Sequence, residues 1–497
     1  MIGRHLTTRF PRGARRAFVA VLALILAATS AEAARGPGEG PGPLPWRISG
    51  RVSFTVDAAA FPDSAGLSLD VYVRIPPATL AALDRDSLGA ARLMLTTRLR
   101  SAFGARQAER QQMLTIDRAD TLAGFGKVVV VRYPTRSGAQ RLTVKLEDLH
   151  SRKRGIAYMG RQVTESGSVD GDFQVAKAQM ERELSDIEFV WSVDTLGISE
   201  AFRHGARSVL PNPERLYGLY AADLRAGFLA RARAGDDRAW HWVARVVDSG
   251  DQVRLEHEET APASRTLDGA VVFDVSTLPA GGYDLEIKAW QEGDAGALLR
   301  RSHFSIAWQA ASWLGDPRDL EDVAHFLLNA DAEEAFAAFQ PGEKERFLAD
   351  FWKRRDPTPE TAHNEALETF LQRIDYANQT YSRVGVGKGM FSDMGRVYIR
   401  YGEPGEVLHQ VIPAGDETLE RVIQDIADTE TRPIGGVGAH GLGGDTRPYE
   451  VWIYQGDIPL PPDADPDAAA HVRRQRLVFL FVDQQGFGQY TLRYSTE

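Results

Sequence analysis

From Trp46 to Trp308 the apolar side chains recur at every second residue in run after run, and a chain written that way buries them as strands with one covered face. Val52, Phe54 and Val56 alternate with polar residues, and Leu67, Leu69, Val71, Val73 and Ile75 do the same until Pro76-Pro77 stops the strand. Val128 to Val131 is a continuous apolar run, which predicts a strand buried on both faces, and Leu142, Val144 and Leu146 alternate again. Residues 47–184 therefore read as a β-sandwich-like module, with helix expected over 79–83 and 98–110. A second, immunoglobulin-like β module is expected over 185–310. Ile187, Phe189 and Trp191 open it, the run from Trp240 to Val247 reads as a central strand, and Leu278-Pro279-Ala280-Gly281-Gly282-Tyr283 is a turn feeding Leu285, Ile287 and Ala289. Trp240 and Trp242 share one face of their strand, where core burial is the expected use.

After Trp308 the period lengthens to that of a helix. Leu320, Val323, Ala324, Leu327 and Leu328 make one amphipathic face, and Phe347, Leu348, Phe351 and Trp352 make another. Thr358-Pro359 predicts a helix start, with Thr as cap and Pro at the first helical position, and Leu367, Phe370, Leu371, Ile374 and Tyr381 then line one side. Strands are expected again over 397–401, 449–454 and 477–482, so 311–497 reads as an α+β domain, helices first and a small sheet after. The expected fold class is mainly β plus α+β, with two tandem β-sandwich-like modules ahead of that domain.

Upstream, Arg4, Arg9, Arg12, Arg15 and Arg16 form a basic leader before the apolar run Ala17 to Ala28, and Ala31-Glu32-Ala33 supplies a small-x-small cleavage site. The run is shorter than the roughly 20 residues of a membrane-spanning helix, so residues 1–33 read as a signal peptide and the rest as a periplasmic or secreted protein without a transmembrane span. Arg15-Arg16-Ala17-Phe18-Val19 also fits a twin-arginine pattern, which leaves export in the folded state open. Residues 34–46, rich in Gly and Pro, read as a linker. The sequence has no cysteine, which excludes disulfides, thiolate nucleophiles and thiolate zinc sites. The leader holds five Arg and one Glu, so cleavage takes the formal charge from −10 to about −14. Such acidity disfavours nucleic acid as a partner.

Phe351-Trp352-Lys353-Arg354-Arg355-Asp356-Pro357-Thr358-Pro359, followed by Thr361, Asn364-Glu365, Arg373 and Tyr376-Ala377-Asn378, resembles the FWxRRDPTPxTxxNE signature of GWxTD-domain proteins. The naming motif falls at 389–393, where this chain reads Gly389-Met390-Phe391-Ser392-Asp393, with Met for Trp and Ser for Thr. The stretch that follows, Met394-Gly395-Arg396-Val397-Tyr398-Ile399-Arg400-Tyr401-Gly402-Glu403-Pro404, keeps the SDxGRVYIxYGxP pattern. The resemblance runs on through 449–454 and 479–490, and in the β modules it is confined to Val73-Arg74-Ile75-Pro76, Leu184-Ser185-Asp186 and Pro211-Asn212-Pro213. It implies an exported bacterial envelope protein and brings no catalytic residue and no cofactor.

The densest polar grouping is Arg354, Arg355, Asp356, Asn364, Glu365, Arg373, Asp393 and Arg396. Arginine forks there could grip a carboxylate or phosphate, and paired carboxylates could exchange protons. The same residues could instead satisfy the irregular backbone around Asp356-Pro357-Thr358-Pro359, which leaves many polar groups in need of partners. Gly436-Val437-Gly438-Ala439-His440-Gly441 matches G-x-G-x-x-G but lacks the preceding strand of a dinucleotide site, and His257, among Glu256, Glu258 and Glu259, has no second His at zinc-helix spacing. Tyr398 and Tyr401, like the tryptophan pair, are expected in the core. No metal set, thiol or G-x-S-x-G elbow is present. The expected function is non-enzymatic binding of an envelope protein or glycan through the C-terminal domain, the alternative being a hydrolase of an envelope polymer using Asp356, Glu365 and Asp393. The leader carries the first prediction: the exported protein begins at Ala34, and N-terminal sequencing of envelope-fraction material that returned the uncleaved leader would refute it.

Overall fold

The computed structural model describes residues 42–497 apart from 64–65, 88, 102–106, 118–125, 153–162, 178–181, 194–201, 205–206, 315–316, 362, 383–386, 411–446, 457–475, 485 and 487. The chain is mainly β with helices ahead of a small C-terminal sheet, as its periodicity implies. It divides into two compact units, one running to residue 321 and taking in 334–347, the other made of 322–333 and 348–497.

The first unit opens with strands β1 (Trp46–Ile48), β2 (Phe54–Asp63) and β3 (Gly66–Ile75), then helix α1 (Pro77–Ala82) and strands β4 (Ala91–Ser101), β5 (Gln107–Ile116), β6 (Lys127–Thr135), β7 (Gly138–Asp148) and β8 (Glu165–Val175). Two four-stranded antiparallel sheets, β1-β2-β3-β6 and β5-β4-β7-β8, enclose one core in which Val56, Val71 and Val73 meet Leu93, Leu95, Leu142 and Val144. The helix expected over 98–110 is instead the β4/β5 pair, in register from Ala91↔Ile116 to Arg100↔Gln107. Its Ala, Arg, Glu and Gln residues favour helix in isolation, but Leu93, Leu95, Leu99, Leu114 and Ile116 alternate into the core and tertiary burial overrides that preference. Val128 to Val131 lies on the edge strand β6, where Val129 and Val131 point into the core and Val130 is half-buried against Ala59, Phe61 and Tyr72 on the other face, so the two-faced burial expected there is only partial. Strands covered on both faces include β2, buried without interruption from Phe54 to Phe61, and β3, buried from Leu69 to Ile75.

The cover comes from the second module, with β9 (Glu183–Leu184), β10 (Glu188–Val193), β11 (Arg203–His204), β12 (Arg207–Pro211), β13 (Leu216–Gly218), β14 (Asp223–Arg231), β15 (Trp240–Asp248), β16 (Val253–Ala261), β17 (Thr266–Asp274), β18 (Gly281–Gln291) and β19 (Leu298–Ala307). Its sheets, β11-β12-β10-β14-β17 and β13-β19-β18-β15-β16, close over Phe189, Phe228, Trp240, Trp242, Leu285 and Ile287. The central strand and the Pro/Gly turn fall where expected, and His257 sits on the exposed edge strand β16. Module boundaries shift slightly: Trp46 belongs to β1 and the first core, not to the linker, and β9 pairs with β14 and so begins the second module at Glu183.

The outer face of β2 and β3 carries Asp57, Ala59, Phe61, Asp70, Tyr72 and Arg74, and the second module buries much of it. Arg215 donates to Asp57 through Nε at 2.8 Å and Nη2 at 2.6 Å, with side chains 10% and 8% exposed. Tyr72 donates to buried Glu188 at 2.7 Å, and Ala60 and Asp186 exchange two bonds of 2.9 Å. Arg215 is held at a φ of 50°, sparsely populated for a side chain of its size, by a turn in which its amide donates to Asn212 O at 3.0 Å. Further along this unit lie α2 (Ala310–Leu314), the start of α3 (Pro317–Ala324), the end of α4 (Ala330–Ala337) and the start of α5 (Pro341–Lys353), so the third domain does not begin cleanly at 311.

The second unit holds the end of α5, then α6 (Glu365–Tyr381), a single 3-10 turn at Gly389–Phe391, α7 (Asp393–Tyr401), and the antiparallel sheet β20 (Glu406–Gln410), β21 (Tyr449–Gln455), β22 (Arg476–Asp483), β23 (Tyr490–Ser495) in that order. The helix expected at Thr358-Pro359 starts at Glu365, because Asn364 Oδ1 accepts from Leu367 N at 3.0 Å and is the better cap. Phe370 and Ile374 face inward as expected, whereas Leu371 is 44% exposed. The strand expected over 397–401 is helix α7. Its β-favouring Val, Tyr and Ile residues yield to a Ser392 cap, to an i, i+3, i+7 face of Met394, Val397 and Tyr401 laid on the sheet, and to Gly402 closing the C-terminus.

The buried pair makes a direct prediction. Asp57→Ala strands the Arg215 guanidinium and is expected to cost about 3–5 kcal/mol, while Asp57→Leu combined with Arg215→Met retains most of the stability. Urea unfolding followed by tryptophan fluorescence reads both, and a loss under about 1 kcal/mol in Asp57→Ala would overturn the assignment.

Candidate functional site

The polar residues singled out from sequence do not form one cluster. Asp356 Oδ1 accepts from Thr358 N at 2.9 Å, and Glu365, exposed, accepts from the Thr358 hydroxyl at 2.6 Å, which holds its carboxyl below the usual range. Asn364, besides capping α6, donates to Trp352 O at 2.8 Å. Arg354 is exposed, and Arg355 stacks on Phe351 with its guanidinium 3.7 Å from the ring centroid. These residues therefore brace the 354–364 connection between α5 and α6. Arg373 reaches away from them and donates to Ile399 O at 3.2 Å and Arg400 O at 3.4 Å, neutralising the carbonyl end of α7. Burial lowers its pKa, with Tyr398 and Tyr454 beside it opposing the shift.

The segment from Gly389 to Asp393 is a packing device. Met390 is buried, its amide donating to Asn378 Oδ1 at 3.0 Å, while Gly389 N donates to Ser382 Oγ at 2.8 Å. Ser392 Oγ donates to Gly389 O at 2.7 Å and accepts from Gly395 N at 3.0 Å. A Cβ at Gly389 would lie 2.2 Å from Ala377 O, and one at Gly395 2.1 Å from Gly389 O, so the backbones of α6, the turn and α7 touch. Beyond this core Tyr376, Tyr381 and Trp452 gather around Tyr398, on which Tyr376 stacks at 4.4 Å. Tyr401 is in the core as expected, and burial, then Glu497, raises its phenol pKa.

Asp393 and Arg396 are brought together, with residues that sequence reasoning did not select. They line a cavity of about 340 Å³ with His325, Phe326, Val397, Ile399, Arg400, Leu492 and Glu497. Asp393 Oδ2 accepts from Leu492 N at 2.8 Å, Arg400 pairs with Glu497 at 3.2 Å, and His325 pairs with Glu333 at 2.9 Å. Arg396 is exposed at the rim. Among the described residues no ion pair joins Asp356, Glu365 or Asp393 to Arg373 or Arg396.

A second cavity, about 480 Å³, lies in the first unit, and sequence reasoning missed it. Arg47, Arg51, Arg74, Glu214 and Lys344 line it beside Phe54, Trp191, Tyr220, Trp313 and Phe339. Arg74 pairs with Glu214 and lies 5.2 Å from the centre of the Trp191 ring, and Lys344 pairs with Glu321 at 2.5 Å. A signal was present: Arg74 belongs to the Val73-Arg74-Ile75-Pro76 stretch, and Glu214 follows Pro211-Asn212-Pro213.

No group of three or more His, Asp or Glu residues that could hold a metal occurs among the described residues, nor does any helix long and apolar enough to cross a membrane. The Gly436–Gly441 loop lies outside the described residues. No family model and no curated protein matches the chain. Among solved structures it overlaps Salmonella alpha-2-macroglobulin reacted with methylamine at 13% identity and a TM-score of 0.16, covering 52% of this chain and 17% of that one. It overlaps a Parabacteroides merdae β-glucuronidase at 7% identity and a TM-score of 0.16, covering 48% and 27%. The chain thus spans 17% to 27% of the length of these proteins. Overlap at this level assigns neither fold nor function.

Gly395→Ala forces a methyl group into the turn and is expected to cost about 1–3 kcal/mol, whereas Arg396→Ala at the exposed rim stays within about 0.5 kcal/mol of wild type. Chemical denaturation distinguishes them, and equal losses would contradict the division between packing device and rim.

Proposed function

We propose that this is an exported, non-enzymatic protein of the bacterial envelope, in keeping with its resemblance to GWxTD-domain proteins, and that it binds a protein or glycan partner through its C-terminal α+β unit. The observation that carries the proposal is the cavity at which Asp393, Arg396, Arg400, His325 and Glu497 meet. Recognition suits that arrangement because Arg396 presents a guanidinium at an exposed rim while the neighbouring charges are already paired. Hydrolysis suits it poorly: general acid–base work needs a carboxylate poised over a reacting group. Asp356, Glu365 and Asp393 instead accept from Thr358 N, the Thr358 hydroxyl and Leu492 N.

The reading is tested by capture from envelope extracts with the full mature chain. Arg396→Glu is expected to abolish retention of the partner at unchanged melting temperature. Turnover of an envelope polymer by the wild type, lost in Asp393→Asn with the fold intact, would replace this reading with the hydrolytic one.

A further inference from the structure

The 480 Å³ cavity of the first unit lies outside the proposed partner site and has a chemistry of its own. Its walls are largely apolar, with Phe54, Pro76, Pro77, Trp191, Trp313 and Phe339 among them, and its size falls within the range of about 300–1,000 Å³ typical of small-molecule sites. Three cations at its lining already have carboxylates: Arg74 meets Glu214, Lys344 meets Glu321 at 2.5 Å, and Arg51 meets Asp84 at 3.0 Å. Arg47 differs. Its Nη1 donates to the neutral Gln340 side chain and its Nη2 to the Glu214 main-chain carbonyl at 3.0 Å, so its charge is hydrogen-bonded without a carboxylate in contact. Burial lowers the Arg47 pKa, the Glu214 charge is the largest influence against that shift, and the neighbouring Arg74 adds to the lowering. An anion reaching Arg47 would meet a guanidinium whose two hydrogen-bonded acceptors are both neutral and whose planar fork matches a carboxylate.

We propose that this cavity binds a small amphipathic monocarboxylate, its carboxylate on Arg47 and a medium-chain alkyl body against Trp191, Trp313 and Phe339. A single guanidinium without a carboxylate contact suits a single negative charge. The hydrocarbon body follows from the walls: a peptide or sugar would bring several amides or hydroxyls, and an apolar lining leaves such groups without partners. Tyr220, 52% exposed and edge-on to Trp313 at 5.5 Å, marks the mouth.

Calorimetric titration of the full mature chain with decanoate, decanol and decylammonium tests the proposal. Decanoate is expected to bind at least roughly tenfold more tightly than either analogue, the margin set by one charge-assisted contact. Arg47→Gln should remove that margin while leaving decanol binding unchanged, with the melting temperature reporting that the fold is intact. Trp313→Ala should weaken decanoate and decanol alike. Equal affinity of wild type for decanoate and decanol, no decanoate binding, or tighter binding of an N-acetylated hydrophobic tripeptide acid would each overturn the proposal, and none of these outcomes depends on a variant folding.

Discussion

The buried pair between Asp57 and Arg215 is the interaction on which the first unit depends. Taking two charges out of water is costly, and the pair recovers that cost through a two-pronged geometry supported by Ala58 N, which also donates to Asp57 at 2.8 Å. The pair is consequently a device of specificity more than of net stability. The docking of the second module on the outer face of β2 and β3 that satisfies both charges also sets Glu188 on Tyr72 and Glu214 on Arg74. The left-handed turn at Arg215 carries two consecutive side chains to targets on neighbouring strands, Glu214 to Arg74 on β3 and Arg215 to Asp57 on β2, and the prolines of Pro211-Asn212-Pro213 rigidify the approach to it.

In the second unit the corresponding constraint is close backbone approach. Gly389 and Gly395 let α6, the 3-10 turn and α7 pack at distances no side chain would permit, and Asn378, Ser382 and Ser392 take up the backbone groups exposed by the turn. Met390 fills the pocket behind it. The flexible thioether can occupy an irregular space of this kind.

Two of the cavities these constraints leave differ in character. One is edged by charges on the rim of α7; the other is apolar with a cationic lining, at the junction of the two β modules. Neither positions a nucleophile against a base among the described residues, and both are suited to recognition.

The sequence by itself determined the local structure wherever one face was apolar. Period two marked β2, β3, β7 and β15, the longer period marked the helical segment before the C-terminal sheet, and alternation placed Trp240 and Trp242 in the core. It misled at 98–110 and 397–401, where residue preference pointed one way and burial the other, and at Asp356, Arg373 and Asp393, which are near in motif but tied to separate backbone groups. What only the tertiary structure decided was the fate of the polar face. Asp57, Tyr72 and Arg74 alternate with apolar residues as solvent-facing side chains would, yet they are buried against a second module more than a hundred residues away, at Arg215, Glu188 and Glu214. Periodicity records which face of a strand is apolar; whether the other face meets water or protein depends on long-range docking, which leaves no mark on local spacing.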